Sequence, residues 1–277
     1  MKITKAKRDF KKRFGQANHF LITTLIGLNA VESGLVSDKP DSFSTTWNPR
    51  DQIRSAQRSR GFVLKSFLGW AVESLEMYLT ELNRKPKELE SAKFTELYSS
   101  AGRSIYLKVI YIGDEVNIDP VLVALMEVLI TWRNYTFHYD IDNEIRDVSL
   151  KILKDEEARI AVEFCGLQID QLKEAWEQGR DFSFKEASSL INATHKYVDA
   201  LDTYAVRCID IDRYISETIT VHFNGSHKAL MKYKALQGDK KERYLKSLVL
   251  DHVGIEINDV DLQALRKSIS QYVTPGH

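Results

Sequence analysis

A short polar segment follows a strongly apolar stretch near the middle of the chain. Residues 121–132 are almost all apolar, and the polar segment after them reads Arg133-Asn134-Tyr135-Thr136-Phe137-His138-Tyr139-Asp140. Arg133 is a planar, permanently charged cation that can donate two parallel hydrogen bonds to a phosphate. His138 can accept or release a proton near neutral pH. This pair suits cleavage of an RNA phosphodiester without a metal ion, with His138 transferring protons and Arg133 binding the phosphate.

The spacing of the two residues constrains how they meet. On one continuous α-helix, residues five apart are rotated by about 140° and separated by about 7.5 Å, so they do not share a face. The helix must therefore end or bend between Arg133 and His138, or the two residues must come from different copies of the chain. Asn134 and Thr136 can hydrogen-bond to the backbone and disturb the helix here. A two-fold dimer would bring two Arg/His pairs into one cleft.

This segment resembles the R-x4-6-H motif of the HEPN superfamily (higher eukaryotes and prokaryotes nucleotide-binding). By motif position, Arg133 is the motif arginine, Asn134 the polar residue after it, and His138 the motif histidine. The resemblance covers roughly residues 60–150. It implies a helical bundle, a homodimer with a composite active site, and an endoribonuclease that leaves 2′,3′-cyclic phosphate and 5′-hydroxyl ends. Family members serve as toxins, anti-phage effectors, RNA-guided nucleases and RNA-processing enzymes.

Several other residues are candidates for the site or for RNA contacts. Glu73, on a helix expected beside the motif helix, could pair with Arg133 or orient His138. A basic helix face could follow an RNA backbone, and Tyr139 could contact RNA beside the motif; the residues of this basic face are Arg50, Arg54 and Arg58. Basic residues between Lys2 and Arg13 could also steer RNA. The alternative for each of these is an ordinary solvated surface, and for Arg133 a helix C-terminal cap.

The composition favours an all-α fold. The chain has 277 residues with 5 Pro and 13 Gly, where average usage would give about 14 and about 19. The 39 Lys and Arg balance 39 Asp and Glu, so bulk charge gives no argument for nucleic acid or membrane binding. The two cysteines lie far apart without a metal-binding pattern, which predicts neither a disulfide framework nor a zinc site. We expect no cofactor and no metal.

Apolar periodicity predicts helices along most of the chain, and the resemblance implies that those at 50–212 form a HEPN-like bundle. A helical extension and loop at 1–49 would precede this bundle, and a helical subdomain at 213–277 would follow it. Asn48-Pro49 would start a long helix to Leu82 that breaks or bends near Gly61 and Gly69 and buries a stripe including Phe62, Phe67 and Leu75. Asp119 would cap the apolar helix, with Pro120 at its first position. Residues 105–112 have strand propensity, but no partner strand follows, so a helix is predicted. Further helices are predicted at 143–153, 155–178, 183–212, 226–236, 239–253 and 258–272.

The residues and the resemblance together predict a metal-independent endoribonuclease. Its expected setting is that of a toxin or anti-phage defence effector, kept harmless by a trigger or by a partner such as an antitoxin or another defence-system protein. The rivals are a non-catalytic helical module that binds a nucleotide, RNA or a partner protein, and a purely structural dimerisation bundle. The apolar run after the basic start is interrupted by polar residues and lacks a cleavage site, and no stretch is long enough to span a membrane. We expect a cytoplasmic protein.

Overall fold

The computed structural model describes residues 2–36, 42, 49–137, 144–178 and 180–273. Every regular element within these ranges is an α-helix, which confirms the predicted all-α class. The helices are α1 (Lys5–Glu32), α2 (Gln52–Asn83), α3 (Ala92–Ser100), α4 (Ile105–Glu115), α5 (Pro120–Phe137), α6 (Asp147–Asp155), α7 (Glu157–Glu163), α8 (Ile169–Glu177), α9 (Phe184–Cys208), α10 (Ile211–Gly225), α11 (His227–Ala235), α12 (Gly238–His252) and α13 (Asp259–Val273).

The chain divides into two compact units that interleave along the sequence. The first comprises the described residues within Met1–Asp9, Met77–Ser100 and Asp199–His277, and the second those within Phe10–Glu76 and Ala101–Val198. Helices α1, α2 and α9 contribute residues to both units. This division does not follow the three consecutive segments predicted at 1–49, 50–212 and 213–277, and those boundaries stay a prediction.

Helix α5 forms the centre of the second unit. The Asp119 carboxylate accepts a hydrogen bond of 3.0 Å from the Val121 amide, so the predicted cap is confirmed, with Pro120 as the first helical residue. Every residue from Val121 to Asn134 is buried. A helix that is apolar on all sides must be surrounded by other helices, so α5 dictates where its neighbours pack.

Helix α4 lies directly against α5. Its sequence is rich in β-branched and aromatic residues, yet it forms a helix capped by Ser104, whose hydroxyl accepts a hydrogen bond from the Leu107 amide at 3.2 Å. The predicted helix is confirmed. Gly113 permits the close approach, because a Cβ at this position would lie 2.8 Å from Cγ2 of Val123.

A buried carboxylate connects α5 to the start of α6. The Glu127 side chain is fully buried and accepts hydrogen bonds from Arg146 Nη2 at 2.6 Å, Arg146 Nε at 2.9 Å and Ser149 Oγ at 2.5 Å. The Tyr106 hydroxyl on α4 donates to the Glu144 carbonyl at 2.7 Å. A buried charge is tolerated only when it is paired and hydrogen-bonded. The network therefore fixes where the chain re-enters the bundle after the polar segment.

The two glycines in α2 do not break it, contrary to expectation. Helix α2 runs without interruption for 32 residues. A Cβ on Gly61 would lie 2.5 Å from the Asp181 carboxylate, and one on Gly69 would lie 3.1 Å from the Phe137 ring. Other residues pack against the helix at these two positions. Close packing, and not a helix break, therefore accounts for the glycines.

Some predicted helix ends were wrong. Helix α2 begins at Gln52, later than Pro49, because the Asp51 carboxylate caps it by accepting from the Arg54 amide at 2.9 Å; Asn48 lies outside the described residues. The predicted helix 155–178 is divided into α7 and α8 at Cys165 and Gly166, which adopt φ values of 56° and 76°. Left-handed backbone ends a helix.

The first unit has a hydrophobic core made by its C-terminal helices. Predicted helix 183–212 ends earlier, at Cys208, and α10 begins after Asp210, whose side chain accepts from the Arg213 amide at 3.1 Å. Helix α10 was not predicted. Its buried residues pack with residues of α11, α12 and α13 around a core that includes Ile219, Phe223, Leu245, Val249 and Ile269. The predicted cap at Asn258 is confirmed by a 2.9 Å bond from the Asp261 amide.

Glu88 caps the start of α1 in this unit. Its carboxylate accepts hydrogen bonds from the Lys5 and Ala6 amides at 2.5 and 2.7 Å and from the Tyr214 hydroxyl at 3.0 Å. A carboxylate at this end also interacts favourably with the helix dipole.

None of the helices in the described part of the chain combines the length and apolar character needed to cross a membrane.

Glu186 closes the start of α9 with a reciprocal cap. Its carboxylate accepts from the Ser183 amide at 2.6 Å, while Ser183 Oγ accepts from the Glu186 amide at 3.3 Å, the pattern of a capping box. Arg180 Nη2 donates to the same carboxylate at 2.8 Å. Burial acts to raise the pKa of Glu186, but the hydrogen bonds from Arg180 and Ser183 outweigh it and hold this pKa below its ordinary value.

We expect Gly113→Ala to lower the free energy of unfolding by about 1–3 kcal/mol, because the added methyl group collides with Val123 in a packed interior. Chemical denaturation monitored by circular dichroism measures this. Gly27→Ala is the matched control, since a Cβ on this exposed helical glycine meets no atom within 4 Å. That variant should be neutral or gain up to about 1 kcal/mol. Equal effects of the two substitutions would contradict the close approach of α4 and α5.

We expect Glu186→Gln to destabilise the protein at neutral pH by about 1–3 kcal/mol, since the ionised carboxylate accepts charge-assisted hydrogen bonds. Because the pKa of Glu186 is lowered on folding, this stabilisation is present above the ordinary pKa of 4.5 and is lost as the pH falls through the folded-state value. Urea denaturation of both proteins across this range measures the difference. Glu115→Gln, at an exposed position at the end of α4, serves as control. A difference that stays constant down to acidic pH would contradict the assignment.

Candidate active site at the end of α5

Arg133 and Asn134 occupy the last buried turn of α5. The Arg133 side chain is 9% exposed, and its Nη2 donates to Glu73 Oε1 at 2.8 Å. Its Nη1 donates to the Asn134 side-chain oxygen at 2.9 Å. The structure thus brings together three of the predicted site residues, with the guanidinium oriented by one carboxylate and one amide.

Helix α2 positions Glu73 by packing antiparallel to α5. The Gly69 backbone lies against the Phe137 ring, and Glu73, one helical turn later, reaches Arg133, one turn earlier on α5. Glu76, three residues further along α2, forms an ion pair with Lys108 at 3.5 Å. The absence of a side chain at Gly69 therefore sets the separation at which Glu73 meets the guanidinium.

The Arg133–Glu73 pair is buried on one side and open on the other. The Glu73 side chain is 55% exposed, whereas Arg133 is almost covered. A phosphate approaching from solvent would meet the Glu73 side of the guanidinium first, and it would compete with the carboxylate for the same N–H donors. Two parallel hydrogen bonds to a phosphate therefore require Glu73 to turn outward, which an exposed side chain can do.

Helix α5 continues without a break past Arg133. Thr136 Oγ1 donates to the Trp132 carbonyl at 2.8 Å, one turn back along the helix, and α5 extends to Phe137. Thr136 thus bonds the backbone as expected, but the helix does not end between Arg133 and Phe137. His138 and Tyr139 lie outside the described residues. One of the two arrangements that the spacing allowed requires the helix to end between Arg133 and His138. Because α5 reaches Phe137, such an end would have to follow Phe137.

The predicted RNA-binding arginines lie on and beside the first turns of α2. Arg50, Arg54 and Arg58 are all exposed, and within the described ranges their side chains form no ion pair. Arg58 precedes Glu73 by 15 residues on the same helix, a rise of about 22 Å. These arginines cannot share a phosphate with Arg133, so any RNA contact they make lies several nucleotides away.

An exposed aromatic surface near the site was not predicted. Phe62 was assigned to the buried stripe of α2, but its side chain is 70% exposed. Trp70 is 40% exposed, and the Arg13 guanidinium lies 4.3 Å above its ring. The signal was present in the sequence, because Phe62, Ser66 and Trp70 recur every four residues on the face opposite the buried Leu64 and Leu68.

The described residues include no cluster of three His, Cys, Asp or Glu side chains that could hold a metal ion. What the geometry offers at the end of α5 is an oriented cation, an amide and an exposed carboxylate. A cation of this kind can bind an anionic group and stabilise charge that develops on it. His138, the remaining residue of the predicted motif, follows α5 in the sequence.

The chain matches no protein-family model, and neither curated proteins nor solved structures gave a match.

Proposed function

We propose that this protein is a metal-independent endoribonuclease of the HEPN type. The observation that supports this most is the convergence of Arg133, Asn134 and Glu73 at the end of a fully buried helix. A rigid, apolar helix inside a helical bundle is the kind of support that holds a catalytic cation in place. The motif histidine, His138, follows the last residue of that helix.

In the proposed mechanism, His138 removes the proton from a ribose 2′-hydroxyl. The 2′-oxygen attacks the phosphorus, the bond from phosphorus to the 5′-oxygen breaks, and a protonated histidine supplies the proton that this leaving oxygen takes up. The products are a 2′,3′-cyclic phosphate and a 5′-hydroxyl. Arg133 binds the non-bridging oxygens as their charge increases. Asn134 orients Arg133 and His138, and Glu73 is a positioning residue that releases the guanidinium to the phosphate.

We propose that the active unit is a homodimer with a composite site. Arg133 lies on an uninterrupted helix up to Phe137, and residues five apart on a helix face different directions. A two-fold axis near the end of α5 would place the histidine of one copy beside the arginine of the other. One imidazole would then act as base and the other as acid.

The biological setting proposed for such an enzyme is the cytoplasm, as a toxin or an effector of anti-phage defence, kept inactive by a partner protein. A second candidate function is a non-catalytic helical module that binds a nucleotide, RNA or a partner protein. The observation that favours this alternative is the Arg133–Glu73 ion pair, which already satisfies much of the guanidinium.

The decisive experiment is RNA cleavage in the presence of EDTA. We expect the purified protein to cut RNA, and Arg133→Ala and His138→Ala each to abolish cutting while circular dichroism and sedimentation show an unchanged fold and oligomer. Gel analysis should show 2′,3′-cyclic phosphate ends. An oligonucleotide with one 2′-deoxyribose at the cleavage site removes the attacking hydroxyl alone, so continued cutting there would refute the mechanism. Full activity of both variants would refute the site.

A second prediction concerns Glu73. We expect Glu73→Ala to lower kcat by about tenfold, equivalent to about 1.4 kcal/mol of transition-state stabilisation, because the guanidinium loses the carboxylate that orients it. Glu73→Gln keeps an acceptor oxygen and should recover most of the activity. Glu81→Gln, on the same helix but paired with Arg84, is the matched control and should leave kcat unchanged. A lower KM with an unchanged or higher kcat in Glu73→Ala would show that Glu73 only competes with the phosphate.

A further inference from the structure

An exposed aromatic groove lies between α1 and α2 in the second unit. Phe20 on α1 is 71% exposed, and Phe62 and Trp70 on α2 are 70% and 40% exposed. The groove has a volume of about 430 Å³. Its lining includes Arg13, Phe20, Thr24, Phe62, Ser66 and Trp70. This surface presents three large rings together. Exposed apolar patches of this kind mark binding sites.

Two ring contacts fix the arrangement of these helices. The Phe14 and Phe67 rings stack beneath the groove with centroids 5.6 Å apart and an interplanar angle of 11°. Arg13, next to Phe14 in the sequence, lies 4.3 Å above the Trp70 ring. The groove therefore presents flat rings with a cation beside one of them, supported by a buried aromatic stack.

The helices that form the groove carry positive charge and no carboxylate over a long stretch. Residues 10–31 and 52–72 contain no Asp or Glu, although the whole chain has 39 of them. The same stretches contain seven basic residues, which are Lys11, Lys12, Arg13, Arg54, Arg58, Arg60 and Lys65. Arg60 and Lys65 pair with carboxylates from outside these stretches, Glu32 and Asp181. In a chain with no net charge, this is a local basic surface.

We propose that this surface binds single-stranded RNA. Bases would stack on Phe20, Phe62 and Trp70, and the phosphates would contact Arg13, Arg54 and Arg58. Proteins that bind single strands combine a basic groove with exposed rings, since every base has a face that can stack. The bases of a duplex already stack on one another, so their faces are not accessible to side chains.

The groove leads to the candidate active site. Trp70 precedes Glu73 by three residues on α2, a rise of about 4.5 Å. Gly69, beside Trp70, contacts Phe137 at the end of α5. A strand lying along the groove would therefore have its next nucleotides beside the Arg133–Glu73 pair. As a path for the substrate, this inference rests on the proposed ribonuclease function, and it names unpaired RNA as the substrate class.

A second copy of the chain fits this surface less well than RNA does. In a two-fold interface the same patch faces itself. Each set of basic residues would then face another set, with no carboxylate in these stretches to neutralise them, and juxtaposed like charges are unfavourable. An RNA strand supplies both the flat apolar bases and the negative charge that the surface lacks.

The test is the affinity of the full-length protein for a short fluorescent RNA with 2′-O-methyl riboses, measured by anisotropy in EDTA. The methyl groups prevent cleavage, so binding is observed alone. We expect Phe62→Ala and Trp70→Ala each to raise Kd by about tenfold, because each removes one stacking ring. Trp70→Phe should recover much of the affinity, and the same sequence annealed to its complement should bind weakly. Val162→Ala, at an 85% exposed apolar position off the groove, is the matched control.

The charge contribution has its own measurement. Arg58→Gln should reduce the slope of log Kd against log salt concentration by about one, as expected for the loss of one phosphate contact. Lys65→Gln removes a cation that already has a carboxylate partner and should change the slope less.

The outcomes separate this inference from the proposed function. Unchanged Kd in Phe62→Ala and Trp70→Ala would overturn the inference, while cleavage that still depends on Arg133 would keep the ribonuclease. Binding of single strands that depends on Phe62 and Trp70, without any cleavage, would support the inference and refute the proposed ribonuclease. If these substitutions instead dissociated an oligomer in sedimentation experiments and left RNA affinity unchanged, the surface would be a protein interface and the inference would be overturned.

Discussion

The second unit depends on the complete burial of α5. Because every residue from Val121 to Asn134 is buried, the charged side chains of this stretch need partners inside the protein. Glu127 does so through Arg146 and Ser149 near the middle of the helix, and Arg133 does so through Glu73 and Asn134 near its end. The candidate site is thus one of two places where this buried helix carries a charge, and in both places a residue outside α5 forms an ion pair with it.

This constraint explains why the site can be rigid and still accessible. The Arg133 side chain is buried and hydrogen-bonded to Asn134 and Glu73, and Glu73 is the exposed partner. The guanidinium needs no reorganisation of the core to meet an anion, because only one surface side chain has to move. A guanidinium exposed on a loop would lose far more conformational freedom on binding.

The parts of the fold that local chemistry determines could be predicted from the sequence. The caps at Asp119 and Asn258 follow from residues close together in the chain. Helix α4 could be predicted against its strand propensity only because the sequence offers no second strand to pair with it. The helix ends at Cys165 and Asp210 were missed, since left-handed backbone and caps inside helix-forming sequence give a weak signal. The exposure of Phe62 was missed because burial is decided by which helices pack against α2.

At the candidate site too, some features could be predicted from the sequence and others could not. Arg133 and Asn134 could be named from motif position and Glu73 from its expected place on a neighbouring helix, and the Arg133 side chain is hydrogen-bonded to those of the other two. Their roles in chemistry stay a prediction, as does that of His138. The contact between Arg13 and Trp70 joins residues far apart in the sequence, and only the packing of α1 on α2 brings them together.

The anchoring of the chain on both sides of residues 138–143 has a consequence for how this stretch can vary. Phe137 is packed against Gly69, and Glu144 is bonded to Tyr106, so neither attachment uses a side chain from the stretch itself. Lengthening a connection between two fixed ends by a residue or two costs little entropy. Inserting a residue or two between positions 137 and 144 would therefore leave the helices on both sides attached as they are. The length of this connection is a property that these two attachments do not fix.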